Sequence, residues 1–285
     1  MNRDDLQTGQ SIIAWLLSAP AIILLTLLVI LPSIQMLTLG FLSSESQEYT
    51  LANFKTLLNS KFAIQAFWRT IRVSLIATAF TILGGYPIMY WLRHAGPRLS
   101  AIILTITIFP LMTSVVVRAF GWTVILGPSG ILNRTMIKFG IISEPLALLN
   151  NEIAVIIGET HLLLPYMVLA LVAVMQKVDP SLEEAAKSLG ANPFITFVRV
   201  TLPLSLPGLL SGTLLVFALA MTAFATPLLL GGGRTPLLTT LMYSYAYTLY
   251  DWNRAAAVAL ILVVLAIVFF SVQRFYAQIK MKSYE

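Results

Sequence analysis

Residues 255–273 read AAAVALILVVLAIVFFSVQ, nineteen positions without a charge. A helix of that length is about 28 Å long at 1.5 Å per residue, close to the hydrocarbon thickness of a bilayer. A membrane β-strand is shorter and alternates polar with apolar positions. Ala259 to Val268 is apolar at every position, so the segment is a helix. Working outward, five more runs have the same character: Ile12–Leu42, Val73–Leu92, Leu99–Val117, Ile153–Gln176 and Val200–Gly233. Only Glu159 and His161 interrupt the fourth. The expectation is an all-α integral membrane protein with six transmembrane helices, one domain over residues 1–285.

Composition agrees. The chain is 58% hydrophobic and 11% charged, against about 25% charged for a soluble domain. That leaves too little polar surface for a water-soluble globule and excludes disorder, coiled coil and collagen. With no cysteine, a disulfide-stapled fold is excluded too. Prolines fall inside several runs, at Pro20, Pro32, Pro87, Pro110, Pro165 and Pro227. Bundled membrane helices tolerate them as kinks. The first run is longer than a signal-peptide core and ends in no clear cleavage site, so it reads as a retained helix. The net charge of +6 is spread through loops, which suits anionic lipid rather than nucleic acid.

Six helices place both termini on one side. The cations divide evenly between the two sides, and the positive-inside rule decides nothing by count. Arg93–Arg98 and Arg274–Lys282 lean towards a cytoplasmic N-terminus.

The polar stretch Lys177–Pro203 carries the most information. Asp179-Pro180 is a helix start, an N-cap followed by proline at the first helical position. Glu183 and Glu184 then lie at the positive end of the dipole. Gly190 reads as a left-handed stop. Asn192-Pro193 repeats the start signal, and a second short helix is expected to end before Leu202-Pro203. Leu182, Ala185, Ala186 and Leu189 form one apolar stripe, and Phe194, Phe197 and Val198 another. The two alanines at the centre of the first stripe would let another surface approach closely; the alternative is a helix that lies on the membrane surface or packs on its own bundle.

At this point the residues reach a family. Glu184-Ala185-Ala186, three residues, Gly190, nine residues, Val200, one residue, then Leu202-Pro203 resembles the EAA loop of bacterial ABC importer permeases. The family pattern is E-A-A-x3-G-x9-I-x-L-P, and valine for isoleucine at Val200 is the one departure. Over nearly its whole length the chain looks like the first of the two permeases of spermidine/putrescine-type importers. The supporting stretches are Arg118-Ala119-Phe120-Gly121-Trp122, Gly130-Ile131-Leu132-Asn133, Leu164-Pro165-Tyr166, Leu230-Gly231-Gly232 and Asp251-Trp252.

The resemblance implies a type I ABC importer permease fold in the bacterial inner membrane. Helices two to six would form the core, with helix one wrapping a second permease as a heterodimer. It implies that residues 177–203 are the cytoplasmic coupling loop, so both termini are cytoplasmic. Glu183, Glu184, Ala185, Ala186, Leu189, Gly190 and Phe194 would then meet one of two ATPase subunits. A periplasmic or lipid-anchored binding protein would deliver the solute, a polyamine or similar cation.

No phosphate-binding loop is present, because the sequence contains no Gly-Lys pair. Gly231-Gly232-Gly233-Arg234-Thr235 reads as a flexible turn. Two histidines and no cysteine give no metal-ligand set. The chain is expected to be no enzyme, with no cofactor of its own; ATP and magnesium belong to the partner ATPase.

Charges within a span are expensive and mark function by default. Glu159 shares a helix face with Glu152 and Tyr166, whereas His161 points elsewhere. Glu159 either faces a path for a cation or pairs with Arg118 and neighbouring polar groups. Arg118 and Trp122 match the family, and the resemblance implies that they line the pathway or contact the binding protein. Tyr243, Tyr247, Asp251 and Trp252 form a second candidate, since aromatic faces attract ammonium groups; the same residue types also collect at membrane interfaces. Arg69 and Arg72 read as snorkelling or structural. One alternative is a proton-coupled secondary transporter using Glu159 or Asp251. Another is an assembly protein whose polar loop binds a soluble partner.

Overall fold

The computed structural model describes residues 18–43, 48–233 and 235–282, with side chains to residue 275. Arg3 and Arg234, counted above among the cations, lie outside them. The described chain is helical, and six segments are long and apolar enough to cross a membrane: Ser18–Leu39, Lys61–His94, Val115–Lys138, Glu152–Met175, Pro193–Thr222 and Trp252–Phe275. Five of these fall where the uncharged runs do. The third does not. Leu99–Val117 is divided between a shorter helix, Pro97–Met112, and the start of the next. Pro110 sits in a 3₁₀ turn, Phe109–Met112, after which Thr113 and Ser114 are extended and a new helix begins at Val115. A proline without an N–H and two extended residues are enough to end a helix that hydropathy alone would carry onward.

In chain order the helices are α1 (Ser18–Leu39), α2 (Ala52–Asn59), α3 (Lys61–His94), α4 (Pro97–Met112), α5 (Val115–Leu126), α6 (Ile131–Lys138), α7 (Glu152–Met175), α8 (Ser181–Ser188), α9 (Pro193–Thr222), α10 (Leu238–Tyr243) and α11 (Trp252–Lys282). They group into two compact units, residues 1–60 with 242–261, and residues 61–241 with 262–285.

In the first unit, α1 is apolar on every face and has no buried residue in its span. Such a surface is stable only in hydrocarbon or against another apolar surface. Its C-terminal end is tied down by polar groups. The Asn53 side-chain amide donates to the Gly40 and Leu42 carbonyls at 3.0 and 2.9 Å. That of Asn253 donates to the Leu42 carbonyl at 2.7 Å. A Cβ at Gly40 would lie 3.0 Å from the Ala257 backbone nitrogen.

In the second unit, α3, α7 and α9 pack around Met89, Leu163, Met167, Leu171, Met175, Val216 and Ala220. Small and hydroxyl residues let these helices approach. Along α3, Thr70, Ser74, Ala77, Thr78 and Thr81 are buried, and Thr70 and Thr78 return their hydroxyls to the carbonyls four residues back. That satisfies each donor within its own helix, as a bilayer interior requires. On α9, Gly208 and Gly212 do the same work. A Cβ at Gly208 would lie 2.9 Å from the Ala170 carbonyl oxygen of α7, and one at Gly212 would lie 2.8 Å from the Met167 sulfur. The obstacle at Gly208 is backbone and cannot rotate away. Gly208→Val is therefore expected to cost roughly 1–3 kcal/mol by overpacking. Thermal unfolding of the purified protein in detergent reads this as a lowered midpoint; an unchanged midpoint contradicts the close α7–α9 approach.

Candidate functional site

The loop expected at 177–203 forms as a short helix and an elbow. The Asp179 carboxylate accepts from the Ser181 backbone N–H at 2.9 Å, which holds it below the usual carboxylate range. Helix α8 follows. It closes at Gly190, whose φ of +85° suits glycine, and the Ala191 N–H reaches back to the Ala186 carbonyl at 3.0 Å. The Asn192 side chain then caps α9 by accepting from the Ile195 N–H at 2.8 Å. The expected second short helix does not stop before Leu202-Pro203. It runs on through a π-helical turn, Phe197–Thr201, into the membrane span as one helix to Thr222. Pro203 falls among the first residues after that turn, where a missing N–H is tolerated.

The two sides of α8 are unlike. Leu182, Ala185 and Leu189 point away from the bundle, Leu189 with 89% of its surface exposed, and Phe194 beyond the elbow is 75% exposed. Glu184 lies on that open side and Ala186 is half-buried. Glu183, grouped above with the ATPase-facing residues, turns inward and is 4% exposed. Its carboxylate accepts from Arg93 Nε at 2.9 Å, His94 Nε2 at 2.8 Å and the Thr201 hydroxyl at 3.2 Å. Arg93 Nη1 also donates to the Met175 and Val178 carbonyls at 2.6 and 3.2 Å. Helices α3, α8 and α9 thus meet at one carboxylate, and Arg93 extends the contact to the end of α7. Phe197, placed above on the outer stripe, instead packs edge-on against Tyr86, with ring centroids 5.5 Å apart.

A second feature lies where helices break. A cavity of about 470 Å³ is lined by Leu111, Thr113, Arg118, Tyr166, Thr222 and Thr226, among others. It sits between the end of α4, the start of α5, the middle of α7 and the end of α9. Glu159 is not in the lining, but it is 1% exposed and borders both Arg118 and Thr226. Neither of these closes a hydrogen bond of regular geometry on its carboxylate, and Arg118 Nε and Nη1 are also unpartnered among the described residues. Glu152, one helical face along, is engaged: Arg69 Nε at 2.8 Å and Arg72 Nη2 at 2.5 Å bind it. Both arginines are therefore structural. Trp122 donates its ring N–H to His161 Nδ1 at 3.3 Å.

The aromatic candidates form their own cluster in the first unit. Tyr243 lies 4.9 Å from Tyr247, and Tyr247 lies 5.6 Å from Trp252, between ring centroids. Asp251 is occupied by Arg254 at 3.2 Å. Arg93, His94 and Thr201 were not legible as site residues, since only the fold brings them to Glu183. The threonines at the ends of α4 and α9 were hidden inside apolar runs.

Residues 81–279 match the family described as binding-protein-dependent transport system inner membrane component. The chain belongs to that family. It is thus an ABC importer permease, a multi-pass inner-membrane translocation subunit whose ATPase is a separate protein. The permease is 38% identical to the spermidine/putrescine transport system permease protein PotB of Haemophilus influenzae over 83% of this chain and 84% of that one. It is 31% identical to PotB of Escherichia coli over 84% and 89%. In fold it is similar to a bacterial ABC transporter involved in the import of the acidic polysaccharide alginate, with a TM-score of 0.78, 19% identity and coverage of 97% and 99%. The alginate transporter in complex with an alginate pentasaccharide-bound periplasmic protein gives 0.77, at 20% identity and 95% and 94% coverage. These matches bear out the six-helix importer fold expected from the sequence. Nothing found favours the proton-coupled alternative.

The Glu183 contacts have a pH consequence. Burial raises its pKa, but the bond from His94 and the charges of Arg93 and His94 outweigh that and hold it below the ordinary glutamate value. A depressed folded pKa stabilises above the unfolded value and the stabilisation is lost as pH falls through the folded one. Hydrogen exchange of the α8 amides is expected to quicken as pH drops below about 4, beyond the intrinsic change. Glu183→Gln should remove that acid response; a response that persists in it would place the cause elsewhere.

Proposed function

We propose that this permease forms, with a second permease, the path for a small organic cation of the polyamine class. The chain acts as one membrane domain with α8 and the elbow on the cytoplasmic side, both termini with them. Two cytoplasmic ATPases, holding ATP and magnesium, dock on the loop, and a periplasmic or lipid-anchored binding protein delivers the solute opposite. The observation that carries the coupling role is the uncovered apolar side of α8, Leu182, Ala185 and Leu189, on a helix whose other side is pinned to the bundle. Phe194 extends that surface and Glu184 lies beside it. Gly190 and the Asn192 cap fix the elbow. Helix α1, apolar all round, is suited to lie against the second permease.

The relatives' printed substrates, spermidine and putrescine, are ammonium compounds. The cavity at the helix breaks is of ligand size, and Glu159 places a carboxylate directly behind its Thr226 and Arg118 wall. Arg118, Tyr166 and Trp122 belong to this path. Tyr243, Tyr247 and Trp252, with the Asp251 carboxylate beside them, supply a second surface suited to ammonium groups.

Two measurements test this. In the reconstituted transporter, Leu189→Asp or Gly190→Pro should abolish binding-protein-stimulated ATP hydrolysis while membrane insertion persists; full stimulation in both would falsify the docking role. Separately, Glu159→Gln should lower uptake of labelled putrescine or spermidine by about tenfold, the equivalent of ~1.4 kcal/mol. Uptake at the parent rate removes Glu159 from the path.

A further inference from the structure

The clamp under α8 contains a histidine held between two oxygen atoms. His94 Nδ1 lies 2.8 Å from the Tyr90 carbonyl oxygen, and Nε2 lies 2.8 Å from Glu183 Oε2. A carbonyl oxygen accepts only, and an ionised carboxylate accepts only. Glu183 is held ionised by Arg93, which bonds its other oxygen. Both ring nitrogens therefore face acceptors, and the ring bridges its own helix to α8. The ring is held in this orientation by Tyr90, whose centroid is 4.2 Å away.

The clamp is also the side-chain bond between α8 and the rest of the bundle. On either side α8 is joined by short connections, Asp179-Pro180 before it and Gly190-Ala191 after it. A displacement applied to Leu182 and Leu189 would be taken up by those connections if nothing else held the helix. Glu183 instead passes it to the end of α3 through Arg93 and His94, to the end of α7 through the Arg93 bonds to Met175 and Val178, and to α9 through Thr201. We propose that Arg93 and His94 are positioning residues that transmit movement of α8 to α3 and α7 through Glu183. This rests on α8 as the ATPase-docking helix and adds the route.

The test uses the complete transporter in nanodiscs, with its ATPases and binding protein. The ratio of binding-protein-stimulated to basal ATP hydrolysis is measured. His94→Gln should lower that ratio about tenfold below the parent. Glu183→Gln, nearly isosteric, should do the same, with co-purified ATPase showing that assembly survives. If both variants keep the parent ratio while Leu189→Asp abolishes stimulation, the clamp does not transmit and the inference is overturned while docking stands. If Leu189→Asp is also without effect, the docking reading fails and takes the inference with it.

Discussion

Hydrocarbon offers no hydrogen bonds, and that constraint organises this chain. Every buried backbone group has to find its partner inside the protein. Thr70 and Thr78 answer it by bonding back into α3, and Gly208 answers it by letting two finished helices touch without disturbing either. Where a helix does break, as after Met112 and after Thr222, the break opens onto the cavity. Irregular backbone at membrane depth is thus concentrated where it lines a cavity rather than lipid.

The same constraint explains the placing of charge. Glu152 and Glu183 lie near opposite ends of the second unit's long helices, and each is held by cations from α3. These ties fix the two ends of α3 and α7 to one another. Glu159, between them in sequence on α7, has no such tie. A buried carboxylate without a bond of regular geometry costs stability, so Glu159 does not contribute to the architecture as Glu152 and Glu183 do.

Much of this was readable from the chain. Six uncharged runs gave the helices because bilayer thickness converts directly into helix length, and Asp179, Gly190 and Asn192 marked the elbow because caps are local chemistry. What escaped was non-local or subtle. Pro110 looked like a tolerable kink but ends α4. Leu202-Pro203 looked like a stop, yet the helix passes through it by widening to a π turn. Glu183 looked like surface charge at a helix start. Its partners stand some ninety residues earlier, at the end of another run, and no spacing rule reaches that far.

The continuity of α9 has a mechanical meaning of its own. Its thirty residues make one hydrogen-bonded column about 45 Å long at 1.5 Å per residue. Phe194 stands at one end and Thr222, in the cavity wall, at the other. A tilt of about 5° pivoting at the first end swings the second by about 4 Å over that length. Motion too slight to notice at the elbow arrives at the wall as a shift as wide as a methyl group, enough to change what fits between the helices.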